Sequence, residues 1–514
     1  MTAESGAAEV ACSPAQKRWV LAAAILGSSL AFVDGTVVNV ALPAIQRELS
    51  ASVYQAQWVV ESYALLLAAL LLAAGALGDR FGRRQVFLLG TAVFGVASVG
   101  CMLAPGVRWL IAARAVQGAG AALLVPGSLA LVHLVFAPQE RGKAFGTWAG
   151  ASAVASAGGP LLGGFLVDRF SWAWAFALNI PLSVLVLAIA WKHVPEGRRA
   201  GAAARLDFPG ALLATLALGG IVFAFIEAPT RQWRSAAVLA ALAIGIASLV
   251  AFLLVERRQP APMLPLGLLR NRNFAGANLL TLLLYAALGG GLFFLPLNLI
   301  QVQGLSATAA GAALLPFIAI MFALSRWAGA LVERHGARGP LVVGPAIAAV
   351  GFALLVLPGT HSGYLRGFFP GIAVLGLGMA IAVAPLTTTV MNAVDGDKAG
   401  VASAINNAVS RVAALLAIAV FGWLMASVFG PRLHEGLAAA HVPADVVDKI
   451  WSQRDKLAAI AAPGAGAQVV KDAFVAGYRW IMAASAGLAL ASAVVAGLML
   501  DSAAGRRAPA ARES

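Results

Sequence analysis

Within the first bundle's apolar runs, three ionisable residues stand near one depth: Asp34, Glu61 and Arg114. At the centre of a membrane helix such a side chain costs about 2.5–3.5 kcal/mol on insertion scales, so each needs a reason to be there. Counted from the outer end of its run at ~1.5 Å per residue, each lies within roughly 6–12 Å of that end. Two carboxyls and a guanidinium at one depth make a buried network. Burial and a neighbouring guanidinium act on a carboxyl's proton affinity in opposite senses. A group balanced between them loads and releases a proton near neutral pH, which is proton-coupling chemistry. The alternative is static: a fixed ion pair, with Glu61 merely reaching the interface.

Other chemistries lack their parts. There is no Gly-x4-Gly-Lys-Ser/Thr loop for nucleotide phosphates and no His-Glu-x-x-His. The six histidines are scattered without metal-ligand spacing, so no metal site is expected. Cys12 and Cys101 do not suggest a disulfide framework. The expectation is a non-enzyme with no cofactor, driven by the proton-motive force.

The elements that must position these residues are membrane helices. The chain is 61% hydrophobic and 11% charged, with a mean hydropathy of +0.86; about 25% charged is usual for soluble proteins. Apolar runs long enough to cross a bilayer core recur to the C-terminus, and spanning runs of this kind are helical. Fourteen are expected, near 19–42, 57–78, 86–104, 109–133, 143–167, 174–193, 208–227, 235–255, 274–300, 308–332, 339–357, 366–391, 400–429 and 476–500. The run Trp19 to Leu42 is too long for a signal-peptide core and reads as an uncleaved first span. The net charge of +14 is a topology signal rather than a nucleic-acid footprint. Lys17, Arg18, Arg83, Arg84, Arg141, Lys143, Arg198, Arg199, Arg257, Arg258, Arg506 and Arg507 all fall on the side of the N-terminus. Both termini are therefore expected in the cytoplasm.

An internal repeat sets the architecture. Gly75-Ala-Leu-Gly-Asp79-Arg80-Phe-Gly82-Arg83-Arg84 returns 254 positions later as Gly329-Ala-Leu-Val-Glu333-Arg334-His-Gly336-Ala-Arg338. Gly118-x-Gly120 returns 258 positions later as Gly376-x-Gly378, and Gly142 as Gly400. Spans 1–6 then correspond to spans 9–14, and spans 7 and 8 are an inserted pair. The fold expected is an all-α integral membrane protein of two six-helix bundles plus that pair. Residues 1–18 form a cytoplasmic tail, 19–193 the first bundle, 194–207 a linker and 208–255 the inserted pair. Residues 256–273 form a second linker, 274–500 the second bundle with an extracytoplasmic loop over 430–473, and 501–514 a tail. Within that loop, Asp445 to Ala461 has an amphipathic pattern suited to a short helix.

The residues Asp34-Gly-Thr-Val-Val-Asn39-Val-Ala-Leu-Pro43 resemble the first-span signature of the fourteen-span drug:proton antiporters of the major facilitator superfamily. Gly75 to Arg84 is similar to that superfamily's signature between spans 2 and 3. Leu110-x-x-x-Arg114-x-x-Gln117-Gly118-x-Gly120 resembles its span-4 proton-coupling signature, and Gly158-Gly159-Pro160-x-x-Gly163-Gly164 the one associated with antiport. The resemblance implies a conformational latch at Gly75, Asp79, Arg80, Gly82, Arg83 and Arg84, in which Asp79 faces a helix start of the other bundle near Gly400. A carboxylate at a helix N-terminus is physically sensible. It also implies a hinge at Gly158, Gly159, Pro160, Gly163 and Gly164, where missing side chains allow close packing and Pro160 lacks a backbone donor. One departure stands out: the usual Trp-Arg-Trp turn before span 6 is Trp172-Ala173-Trp174 here.

Polar or aromatic residues on spans expected to face a central cavity are Phe32, Asn39, Gln117, Tyr285, Asn298, Asn406 and Asn407. Each polar one is equally suited to helix–helix hydrogen bonding. The function expected is proton-coupled export of amphipathic or cationic drugs by alternating access, in a bacterial inner membrane, by a monomer. Its partners would be the small-molecule substrate, protons and the lipid bilayer, with no nucleic acid. The alternative is an exporter or flippase for one native metabolite or lipid. A scaffold on a transporter frame is disfavoured by the intact signatures.

Overall fold

A computed structural model of the chain describes residues 12–196, 207–259, 262–394 and 398–501. The basic pairs Arg198–Arg199 and Arg506–Arg507 lie outside the described residues.

Every regular element among the described residues is helical. The first helices are α1 (Pro14–Glu48), α2 (Val53–Phe81), α3 (Arg83–Met102), α4 (Val107–Val135) and α5 (Pro138–Arg169). A one-turn α6 (Trp174–Ala177) leads into α7 (Asn179–His193), followed by α8 (Phe208–Arg231), α9 (Ala236–Arg258) and α10 (Arg272–Leu297). Next come α11 (Ala307–Ala312), α12 (Leu315–His335), α13 (Arg338–Leu354), α14 (Tyr364–Gly367) and α15 (Phe369–Asn392). The chain closes with α16 (Ala399–Ala439), α17 (Ala444–Ser452) and α18 (Ala465–Met499).

The starts of these helices follow from local chemistry. Ser13 caps α1, accepting from the Gln16 amide at 3.2 Å, and Pro14 fits the first turn, where its missing N–H costs nothing. Ser52 and Gln55 form a reciprocal capping box on α2. The amphipathic segment beyond α16 is helical only as Ala444–Ser452, followed by a 3-10 turn over Arg454–Ala459 that Leu457 interrupts with a φ of 52°. The helix α16 itself runs ten residues past the span end expected at 429, to Ala439.

Twelve helices among the described residues are long and apolar enough to cross a membrane. The helix α2, of 29 residues, and the shorter apolar α13, of 17, lie at the two remaining expected positions.

The chain divides into two compact units. The first comprises residues 1–220, 243–263 and 306–312, and the second 221–242, 264–305 and 313–514. The inserted pair α8–α9 is shared between them, and α11 belongs to the first unit. The core of the first unit is built on Phe87, Phe94, Leu124, Leu131 and Val186, all fully buried. In the second, Phe274, Phe293, Phe294, Phe352 and Tyr478 are buried. Glycines let the helices around them close up: a Cβ at Gly291 would lie 2.8 Å from the Phe352 ring.

The repeat seen in the sequence is also a repeat of contacts. A Cβ at Gly118 would lie 2.9 Å from Tyr63 Cα, and one at Gly376 would lie 2.9 Å from Phe317 Cα. Tyr63 and Phe317 are separated by the same 254 positions as the ten-residue motif. Gly120 packs on the backbone of Gly90 and Phe94, as Gly378 packs on Gly344 and Ala348, again at the 254 offset. Both copies of the ten-residue motif turn at a left-handed glycine, Gly82 (φ 102°) and Gly336 (φ 74°). Only glycine adopts that backbone without strain.

Candidate functional site

Two helices of the first unit, α4 and α7, bring side-chain donors to one carboxylate on α1. Asp34 sits in the middle of α1 and is fully buried. Arg114 and Gln117, three apart on α4, share a face and reach it together. The Arg114 Nη1 donates to Asp34 Oδ2, closing a buried ion pair, and also to Gln117 Oε1 at 2.7 Å. The Gln117 Nε2 donates to Asp34 Oδ1 and to Ser98 Oγ on α3, both at 2.9 Å. From α7, Asn179 Nδ2 donates to Asp34 Oδ1 at 2.8 Å.

The surroundings fix the guanidinium. Its Nε donates to the Val59 carbonyl of α2 at 3.0 Å, and its Cζ lies 4.1 Å from the Tyr63 ring centroid and 5.7 Å from that of Phe176. Tyr63 is itself tied to α1 through its hydroxyl, 3.3 Å from the Ala31 carbonyl. Gly118 makes this geometry reachable, because only a bare Cα lets α4 approach α2 at Tyr63. Asp34, Arg114, Gln117 and Asn179 are each 1% exposed or less. In so dry a setting a charge needs both a counter-charge and hydrogen bonds, and Asp34 has both.

Glu61 does not join. The Tyr63 ring lies under Arg114 and Val59 offers it a backbone carbonyl, and Glu61, two residues from Tyr63, is turned about 200° from it around the α2 axis. It is fully buried, and neither of its carboxyl oxygens has a hydrogen-bond partner among the described residues. The three expected partners share a depth, but only two share a face.

The antiport-type signature lies along α5 between α1 and α11. A Cβ at Gly163 would be 2.7 Å from Val37 Cγ1, and one at Gly159 would collide with the Thr36 hydroxyl. On another side of α5, a Cβ at Gly164 would lie 2.7 Å from Thr308 Cα, and Gly311 of α11 meets the Pro160 carbonyl. Gly158 has only Leu162 near it, at 3.9 Å. The helix runs unbroken through Pro160. Proline removes the donor for the carbonyl four residues back, Ser156, and Thr36 Oγ1 stands 3.4 Å from that oxygen. At the end of α5, Asp168 caps α11, accepting from the Ala307 amide (3.0 Å), the Thr308 amide (2.7 Å) and the Thr308 hydroxyl (2.6 Å).

Of the latch residues, Gly75 has open space where a Cβ would stand, and Arg80 lies over the Phe81 ring at 5.4 Å. Arg83 donates to the Ala130 carbonyl at 3.2 Å, and Arg84 to the Trp191 carbonyl at 2.5 Å and to Glu196 at 3.3 Å. The side chains of Asp79 and of Gly329 to His335 lie outside the described residues.

The expected cavity residues separate into different roles. Gln117 is committed to the Asp34 network. Phe32 is half-buried and packs edge-on against Trp148 at 6.5 Å. Asn39 is half-buried, with an Oδ1 that has no hydrogen-bond partner among the described residues. In the second unit, Asn406 donates to Asn278 (3.2 Å) and Thr281 (2.7 Å), a bond between helices. Asn298 accepts from Gln303 at 3.2 Å, in a π-helical turn. Tyr285 is half-buried, and Asn407 is exposed and donates to the Ser403 carbonyl. Sequence reasoning missed Ser98, Thr36, Asp168 and Asn179. The signal for Asn179 was available: an amide in an apolar stretch, two residues before Pro181, whose missing N–H loosens the helix between α6 and α7. At the departure noted above, Trp172 is buried against Phe176 at 6.2 Å, and Ala173 merely opens α6.

The chain resembles known proteins over nearly its full length. It is 36% identical over 494 residues to the puromycin resistance protein pur8 of Streptomyces alboniger, covering 95% of this chain and 92% of that protein. It is 31% identical over 505 residues to the tetracenomycin C resistance and export protein of Streptomyces glaucescens, covering 96% and 94%. The multidrug resistance protein Stp of Mycobacterium tuberculosis is 34% identical over 430 residues, covering 82% and 80%. Among solved structures, a bacterial homologue of the human lysosomal transporter Spinster superposes with a TM-score of 0.66 at 17% identity, covering 97% of this chain and all of that one. The peptide transporter PepTSo gives 0.65 at 15%, covering 95% and 98%. At these identities the structural likeness is one of fold. Residues 24–418 match the model of the Major Facilitator Superfamily, and the chain belongs to that family.

Proposed function

We propose that this protein is a proton-coupled exporter of amphipathic or cationic drugs. The observation that carries the reading is Asp34, a carboxylate buried in a membrane helix and bonded to side chains from α4 and α7. A group so costly to bury, held there by Arg114, Gln117 and Asn179, is suited to loading a proton on one side of the membrane and releasing it on the other. Relatives named for puromycin, tetracenomycin C and multidrug resistance support an export role. Glu61, turned away from that network, is proposed as a second, separate proton site.

The proposed topology has fourteen spans with both termini in the cytoplasm of a bacterium, in its inner membrane, as a monomer. Its support is the gathering of basic helix ends on one face of the first unit. Lys17 lies 2.5 Å from Glu140, the Gln16 side chain bonds the His193 carbonyl, and Arg84 bonds Trp191 and Glu196. Export proceeds by alternating access, with Asp79 as latch and the glycines of α5 as hinge.

The test is substrate-driven proton release from energised inside-out vesicles, comparing the wild type with Asp34→Asn. Release that persists undiminished in the variant rejects the proposal. A second reading, export of one native compound, is favoured by relatives named for single antibiotics. A panel of unrelated amphipathic cations separates the two, since a single transported chemotype supports the narrower reading.

A further inference from the structure

Asp34 Oδ1 receives two amide donors, Gln117 Nε2 at 2.9 Å and Asn179 Nδ2 at 2.8 Å. The two amides differ in what their other ends do. Gln117 is engaged throughout: its oxygen accepts from Arg114 at 2.7 Å, with the Cys101 thiol 3.6 Å away, and its nitrogen also bonds Ser98. It cannot turn without breaking several bonds at once. Asn179 is fully buried, yet its Oδ1 has no hydrogen-bond partner among the described residues. Buried polar atoms are nearly always bonded, and one left over beside a functional carboxylate calls for an explanation. The residue stands at the start of α7, where the ladder between α6 and α7 is loosened by Pro181.

We infer that Asn179 is a two-position amide switch that recognises the protonation state of Asp34. With Asp34 ionised, Nδ2 donates to its Oδ1, as in this structure. When a proton adds to Oδ1, that oxygen becomes a donor, and the Asn179 nitrogen facing it would set donor against donor. Half a turn of the amide about its terminal torsion, which is broad for asparagine, brings the idle Oδ1 round to accept the new O–H. Both charge states are thereby bonded: the protonated Oδ1 donates to Asn179 and keeps a lone pair for Gln117 Nε2, while Arg114 stays on Oδ2. The charged and titratable groups set against Asp34 and its bonded partners are Arg114 from α4, Tyr63 from α2, over which Arg114 lies, and Cys101 from α3, which reaches Gln117. Asn179 is thus a positioning residue for the coupling proton, a role that rests on the proposed proton-coupled export.

The experiment uses Asn179→Leu, which neither donates nor accepts, and Asn179→Ser, whose hydroxyl does both. In reconstituted vesicles, losing the donor to the ionised carboxylate outweighs losing the acceptor for the neutral form, because bonds to charged groups are the stronger ones. The pH profile of transport in Asn179→Leu should therefore move alkaline by about one pH unit, and Asn179→Ser should return most of the way. Infrared difference spectra between acid and alkaline pH should show an asparagine carbonyl band that shifts in the wild type and is silent in Asn179→Leu and in Asp34→Asn. An unmoved pH profile in a folded Asn179→Leu protein, or an unchanged asparagine band in the wild type, overturns the switch. Should Asp34→Asn keep substrate-driven proton release, the underlying proton-coupling reading fails instead, so the two failures are told apart.

Discussion

Thr36 and Ser156 meet where α1 crosses α5, with the threonine hydroxyl 3.4 Å from the carbonyl that Pro160 leaves without its helical donor. The same hydroxyl lies 3.0 Å from the Val33 carbonyl of its own helix, so its single hydrogen is shared between two helices. Two sequence signatures that read as separate, one on the first span and one on the fifth, are parts of one joint. Gly159 completes it, since a Cβ there would strike the Thr36 hydroxyl.

That joint predicts a coupled pair of substitutions. Gly159→Ala should lower stability by about 1–3 kcal/mol, as overpacking does. Thr36→Ala should lose only about 0.6 kcal/mol, the average for a hydrogen bond between membrane helices. The double variant should be more stable than Gly159→Ala alone, because removing the hydroxyl makes the room the methyl needs. Thermal unfolding of the purified proteins in detergent measures all three, and simple additivity would show that the two residues do not share this space.

Arg114 should be intolerant of both its usual replacements. Arg114→Ala leaves Asp34 buried with its charge uncompensated, a loss of about 3–5 kcal/mol. Arg114→Lys keeps the charge but not the fork that serves Asp34, Gln117 and the Val59 carbonyl together, so partial transport is expected. Flux and thermal stability measured on the same preparations check the order wild type, Lys, Ala. Equal activity of the lysine variant and the wild type would show that the fork geometry is dispensable.

Glu61 and Asp34 should be separable by stoichiometry, because α2 turns Glu61 away from the Arg114 network. Glu61→Gln keeps the volume and removes the titratable oxygen. It should lower the number of protons exchanged per substrate while leaving coupled transport in place, whereas Asp34→Asn should abolish coupling. Reversal potentials in vesicles with imposed proton and substrate gradients give the ratio directly. An unchanged ratio in Glu61→Gln would remove Glu61 from the proton path.

The contrast between these two carboxyls shows what the sequence makes legible. A lone charge in an apolar run demands a partner, so the pairing of Asp34 with Arg114 is readable from residue type and depth. Depth along a helix says nothing about azimuth, however, and two positions from Val59 to Glu61 turn the side chain by about 200°. Azimuth relative to a neighbour is set by packing, here by Gly118 against Tyr63, and packing is not a local property of the text. Asn179 is only half legible for a related reason: the amide beside Pro181 is visible in the text, but its target is not. Its importance comes from α7 delivering it to α1, 145 positions away. In the second unit, Asn406 bonds Asn278 and Thr281, an outcome that residue type alone could not distinguish from lining a cavity.

The two Gly-x-Gly pairs make the last prediction, because the repeat places equivalent glycines in equivalent contacts. Alanine at Gly118 would meet the backbone of Tyr63, and alanine at Gly376 the backbone of Phe317, neither of which can swing aside as a side chain does. Both variants should lose about 1–3 kcal/mol or fail to insert as folded protein. Gly118→Ala should also suppress transport in whatever fraction folds, since the displaced α4 carries Arg114 and Gln117 away from Asp34. Gly75→Ala is the contrasting case: its Cβ would stand in open space, so stability should be unchanged. If Gly75→Ala nevertheless slows flux while substrate binding holds, the slowed step is conformational, which is the behaviour expected of a latch. Binding by tryptophan quenching and flux in vesicles, measured side by side for the three variants, distinguish a broken helix contact from a slowed switch. Loss of binding affinity in Gly75→Ala with turnover intact would place that glycine at the substrate and reject the latch.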